Sequence, residues 1–97
     1  MNTNIEKEYG EKAELFKALA HPTRLFIIDA VNTEKRSVKE LTELVGIDIS
    51  TMSKHLDILK RHKIIEGEKD KNFVYYRLAI PCVLDFMHCA VRVMNKR

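Results

Sequence analysis

Tryptophan is absent from this chain, and glycine, proline and cysteine are scarce, at three, two and two residues among 97. So little glycine leaves no phosphate-cradling loop, and HExxH, CxxC and nucleophile-elbow patterns are missing as well. With a chain this short there is little room for a substrate cleft, so nothing argues for an enzyme. The two cysteines, Cys82 and Cys89, are too few for the disulfide framework of a small secreted domain and read as reduced thiols. No apolar run approaches the roughly 20 residues that span a bilayer, and Met1-Asn2-Thr3-Asn4 lacks the layout of a signal peptide. The expectation is a cytoplasmic protein with no membrane partner.

What is present is a composition of 45% hydrophobic and 32% charged residues, which supports a single domain over residues 1–97. A domain of this size buries only about 60–65% of the surface its unfolded chain exposes, so a second copy is a natural way to complete the core. The net charge of +3 is mild, and its distribution says more. Residues 1–20 carry one more acid than base, whereas residues 48–77 set seven cations against five acids.

Apolar residues Ile5, Tyr9, Leu15, Phe16 and Leu19 recur at helical spacing and predict a helix over 4–20, ended by the approach to Pro22. Pro22 suits the first turn of a second helix over 22–33, with Leu25, Ile28 and Val31 on its buried face. Ser37 and Glu40 form a capping-box pair that opens a short helix, and Gly46 stops it. Asp48 is a natural N-cap for a helix over 49–62 whose apolar positions Met52, Leu56 and Leu59 lie on one side. The period then changes to β-branched and aromatic residues at 64–66 and 73–78, flanking the turn Lys69-Asp70-Lys71-Asn72, which predicts a hairpin. Pro81 opens a last helix that runs to about Met94.

Two helices separated by a short turn, followed by a hairpin, predict a mainly α winged helix-turn-helix domain with five helices and a two-stranded wing. Ser50, Thr51, Ser53, Lys54, His55 and Arg61 fall away from the apolar stripe of 49–62. Short hydroxyls and cations near a helix N-terminus suit a major-groove reader, since hydroxyls reach base edges and N-terminal amides bind phosphate. The plain alternative is a solvated helix face. Lys69 and Lys71 at the hairpin tip stand either for phosphate contacts of a wing or for solubility alone. Arg24 either faces the DNA backbone or covers the core with its stem, and His21 and His62 read as helix-end or surface residues.

Four segments in order, residues 18–25 (ALAHPTRL), 38–41 (VKEL), 50–59 (STMSKHLDIL) and 74–78 (VYYRL), resemble the ArsR/SmtB family of metal- and stress-responsive repressors over roughly residues 13–94. The resemblance implies a dimer that binds a pseudo-palindromic double-stranded operator and leaves it when an inducer binds. It places Ser50, Thr51, Ser53 and His55 at the DNA, with Lys54 and Arg61 toward the backbone. Ile49 departs from the polar residue common at its position, and Lys63 and Asn72 stand where glycine is frequent.

In that family the first and last helices pair across the two-fold axis. Here the apolar residues of 83–94 wrap most of the helix circumference, more than one core-facing stripe requires. Leu15, Leu84, Met87, Val91 and Met94 are the expected dimer contacts.

The family's metal sites do not carry over. The short helix has no Cys-x-Cys, and Asp85 and His88 lack the second ligand pair of the terminal-helix zinc site. Cys82 and Cys89 share a stripe with Asp85 and Arg92 but lie about 10 Å apart along the axis, too far for one ion or disulfide within one helix. An antiparallel mate brings unlike thiols together. Three readings stay open: small apolar packing, a ligand site for arsenite or another thiophilic metal ion, and a redox switch. The competing function class is a winged-helix protein-interaction module, which the cations at 54, 61, 69 and 71 count against.

Overall fold

Short polar side chains mark where the helices begin. The computed structural model describes residues 1–96, and in it α1 (Thr3–Leu19) starts at Asn2, whose Oδ1 accepts the Asn4 N–H at 2.8 Å. The next helix, α2 (Pro22–Thr33), is capped by His21, with Nδ1 accepting the Thr23 N–H at 3.0 Å. Ser37 and Glu40 close the expected capping box ahead of α3 (Val38–Val45), each side chain accepting the other residue's N–H at 3.2 Å. Asp48 caps α4 (Ile49–Arg61), and α5 (Cys82–Met94) follows Pro81 without a side-chain cap.

Helix ends follow the same economy of means. Gly46 takes φ +77° after α3, a left-handed conformation that glycine adopts without steric cost. After α4 the left-handed position belongs to Lys63, at φ +57°. The Lys63 N–H donates to the Lys60 carbonyl and the Ile64 N–H to the Leu59 carbonyl, both at 3.0 Å, while Ile64 itself is buried. This is a Schellman closure in which a lysine occupies the glycine position, held there by burial of the next residue.

The sheet is wider than the expected two-stranded wing. Strands β2 (Ile65–Asp70) and β3 (Phe73–Leu78) pair antiparallel from Ile65↔Leu78 to Asp70↔Phe73, and β1 (Arg36–Ser37) adds to the free side of β3. Two residues carry too little period-2 signal to announce a strand, and Ser37 doubles as a helix cap. The turn is Lys71-Asn72, and its left-handed residue is Lys71 at φ +58°, not Asn72. Alternation puts Glu66, Glu68 and Asp70 on one face of the hairpin and Ile65, Gly67 and Lys69 on the other. A Cβ at Gly67 would stand 3.2 Å from Val74 Cγ1 and 3.3 Å from Tyr76 Cε1, so the strand has little room for a side chain here.

Ile27, Ile28, Val31, Leu41, Met52, Leu56, Leu59, Ile64 and Ile65 form the centre of the core, joining α2, α3, α4 and the base of the wing. On α2 the buried face is Ile27, Ile28 and Val31, with Leu25 only half-buried, a shift of the expected stripe. Leu84 is 4% exposed within its own subunit, so it is a core residue and not an exposed dimer contact. Leu15 and Met87 also pack on the core, while Val91 and Met94 are exposed. The outward face of α5 is a different stripe, Cys82, Phe86, Cys89 and Val93, spaced 4, 3 and 4. On α1 only Ala18 and Leu19 are buried, and Ile5, Tyr9 and Phe16 are exposed along one side. Among the described residues no helix is long and apolar enough to cross a membrane.

Candidate nucleic-acid interface

The start of α4 is rigidly set. Asp48 Oδ1 accepts the Thr51 N–H at 2.8 Å and Oδ2 accepts the Thr51 hydroxyl at 3.0 Å. The Thr51 amide first, and then its hydroxyl, hold the Asp48 carboxyl below the usual carboxylate range. Thr51 is thereby spoken for: it lies at the expected place, but its hydroxyl fastens the cap.

With Met52, Leu56 and Leu59 turned into the core, helical spacing makes Ser50, Lys54, Asp57 and Arg61 the outermost ridge of α4. Ser53 and Lys60 flank it, both exposed. Arg61 pairs with Asp57 at 3.2 Å, whereas Lys54 has no ion pair among the described residues. Such an exposed pair is worth at most about 1 kcal/mol, so Arg61 can exchange it for another anion at little cost. Reading the chain alone misses Asp57 and Lys60, because attention to cations and hydroxyls passes over an acid in the ridge and a lysine beside the core stripe. The periodicity that locates Lys54 also locates both.

His55 does not join this ridge. It is half-buried on the inner flank of α4, its ring 4.5 Å from the ring of His21 and its Nδ1 3.4 Å from Arg24 Nη1. Burial first, then the neighbouring His21 and Arg24, hold its imidazole below the ordinary histidine range. Arg24 itself turns inward, donating from Nε to the Ala18 carbonyl at 2.6 Å and from Nη2 to the Lys17 carbonyl at 3.5 Å. It closes the C-terminus of α1 and does not face outward.

Lys69 and Lys71 are exposed at the far end of the hairpin without ion pairs among the described residues. At the base, Glu66 and Arg77 pair at 2.9 Å across the strands. Lys35 lies 5.2 Å over the Tyr75 ring, tying β3 to the loop before β1.

A short α3, a glycine-ended turn, an outward α4 and a hairpin wing make up a winged helix-turn-helix. Residues 19–68 match the family described as "Helix-turn-helix domain". The chain is 36% identical over 92 residues to the HTH-type transcriptional regulator Rv0081 of Mycobacterium tuberculosis, covering 94% of this chain and 81% of that one. The chain belongs to the ArsR/SmtB family of winged helix-turn-helix regulators. The crystal structure of Rv0081 superposes with a TM-score of 0.79, covering 89% of this chain and 87% of that one. A solution structure from Mycobacterium bovis, described as a homodimeric winged helix-turn-helix DNA-binding domain of a possible ArsR-family regulator, gives a TM-score of 0.81 at 25% identity, covering 98% and 88%. The repressor SmtB of M. tuberculosis is 38% identical over 66 residues, covering 68% of this chain and 49% of that one. The relatives named here are described as transcriptional regulators or repressors, not as enzymes.

Both cysteines are free and exposed on α5. Among the described residues no three His, Cys, Asp or Glu side chains stand close enough to share an ion.

Proposed function

We propose that the protein is a cytoplasmic repressor that binds a pseudo-palindromic operator as a symmetric homodimer, α4 entering the major groove and the wing meeting the backbone. The observation that carries this reading is the outward ridge of α4, in which Ser50 and Lys54, without an ion pair among the described residues, stand opposite the buried Met52, Leu56 and Leu59. Hydroxyls and lysine on such a ridge have the reach for base edges and phosphates. Asp57 adds an acceptor that suits a cytosine amino group once Arg61 turns to a phosphate.

Dimerisation is supported by the apolar residues that one subunit leaves outside. Phe16 and Phe86 join the exposed sides of α1 and α5 into one surface, and the M. bovis relative is described as homodimeric. A two-fold pairing through this surface presents two α4 helices to half-sites about one helical turn apart.

An inducer belongs to the same reading. Cys82 and Cys89 lie one heptad apart on the outward stripe of α5, so a paired copy would bring a second set of thiols to them. Arsenite or another thiophilic ion, held by thiols of both copies, would change the tilt between the two α4 helices. A tenfold loss of operator affinity needs only about 1.4 kcal/mol of preference between two dimer states.

The test is enrichment of duplexes from a random pool by the purified chain, followed by footprinting. The expected result is a two-fold related site whose affinity falls on adding arsenite, with Cys82→Ser and Cys89→Ser losing the response and keeping the binding. No enriched duplex would remove the DNA reading. A double Ser variant that still responds would return the thiols to packing.

A further inference from the structure

His55 on α4 and Arg24 on α2 are both half-buried polar residues, and their mutual geometry is specific. Arg24, on the first turn of α2, reaches across to the last carbonyls of α1, Lys17 and Ala18, and on its other side meets His55 Nδ1 on α4. Three helices are thus joined at one guanidinium. Arginine has no acceptor, so the contact requires His55 Nδ1 to be bare and to accept, with the ring proton on Nε2. His21 Nδ1 likewise must be bare to accept the Thr23 N–H and cap α2. Two imidazoles and a permanent cation sit together, and each contact needs its imidazole neutral.

We propose that Arg24 is a positioning residue that latches the recognition helix α4 to the α1–α2 junction through His55, and that a proton on His55 opens the latch. Protonation places a donor on Nδ1 facing the guanidinium and a second positive charge 3.4 Å from it. The titratable and charged groups that act on His55 are His21 and Arg24, both on or beside α2. From α1 the latch receives main-chain carbonyls, the Lys17 ammonium being engaged with Glu14 at 3.2 Å. The Glu14 carboxylate is taken up by Lys17, and the charged groups that act on His55 itself are both basic, so nothing among them welcomes the extra charge. The lowered affinity of the His55 imidazole for protons agrees with this arrangement.

His55 in the unfolded chain takes up its proton near pH 6.5, and in the folded chain at a lower pH. The latch is whole above the unfolded value and is lost as pH falls toward the folded one. A histidine that merely touched phosphate would act in the opposite direction, since its positive form binds DNA more tightly.

The DNA arm of this inference rests on the operator-binding reading, and the first measurement does not. Ring NMR of the intact chain, with amide exchange of α4, is followed from about pH 8 to about pH 5. The expected result is an Nε2–H tautomer for His55 at neutral pH, and loss of α4 protection in step with its titration. An Nδ1–H tautomer, or protection indifferent to that titration, would overturn the latch whatever the chain binds.

The second measurement is affinity, over the same pH range, for a duplex enriched by the chain from a random pool. Wild type is expected to weaken severalfold on acidification, as His55 takes up its proton and the latch opens. His55→Asn keeps an acceptor near Nδ1 but takes up no proton, and should reduce the change to under about twofold. Arg24→Lys loses the planar fork and should bind more weakly across the whole range. Tighter wild-type binding in acid, or an unchanged pH profile in His55→Asn, would refute the proposal. Failure to enrich any duplex would count against operator binding alone, leaving the exchange measurement to decide the latch.

Discussion

The ring of Phe16 on α1 lies 6.1 Å from the ring of Phe86 on α5, tilted by 59°, so the first and last helices meet through two side chains that each remain more than half exposed. Aromatic pairs usually end in the interior, where their large area is removed from water. This one is left at the surface of the subunit, with Tyr9 and Ile5 continuing it along α1 and Val93 along α5. Surfaces of this kind mark places where a partner sits.

Replacement of Phe86 by Glu should therefore convert a dimer to a monomer while the subunit stays folded. Leu84→Ala should do the reverse, costing about 2–5 kcal/mol of subunit stability through a core cavity without choosing between assembly states. Sedimentation equilibrium paired with thermal melting separates the two. A Phe86→Glu protein that remains dimeric would place the interface elsewhere.

Lys54 stands on the α4 ridge without an ion pair among the described residues, so Lys54→Ala should weaken binding evenly across duplex sequences and reduce the salt slope by about one unit. Ser50→Ala should instead relax sequence preference with the slope preserved. Fluorescence anisotropy over a range of salt concentrations, on enriched and scrambled duplexes, reads both.

The Asp48 cap gives a pH signature in more acidic solution than that of His55. Its carboxyl is held below the usual 3.8 by Thr51, so the cap contributes above that value and is lost as pH falls through the lower folded one. Asp48→Ala should melt at a lower temperature than wild type at neutral pH, and the gap should close in strong acid. A gap independent of pH would mean that the charge plays no part in the cap.

Lys63→Gly should raise stability by about 1 kcal/mol, because a left-handed lysine carries a steric cost that glycine does not. Chemical denaturation detects a change of this size. Destabilisation on that change would show that the lysine stem packs usefully on the end of α4.

Helix positions were legible in the sequence because short polar caps and apolar periodicity act locally: Asp48, Ser37 and Gly46 stand where the chain alone puts them. The outward ridge of α4 followed from the same periodicity. Side-chain direction over longer distances was not legible. His55 shares the polarity of Ser53 and Lys54, and only the packing of α2 against α4 shows that its ring faces His21 and Arg24. Leu84 is equally apolar on either side of α5, and which side faces the core depends on how that helix docks. Strand β1 is two residues long and exists because β3 offers a free edge, which no local pattern encodes.

Helix α1 buries only Ala18 and Leu19 against its own subunit. A single helix of 17 residues in water lies near the margin at which it forms at all. If a second chain supplies the missing burial, most of α1 is held by mass action and not by the fold that carries α4. Circular dichroism on serial dilution should then lose helical signal before the wing or the core changes, and the amount of α1 formed would report how much of this regulator the cell contains.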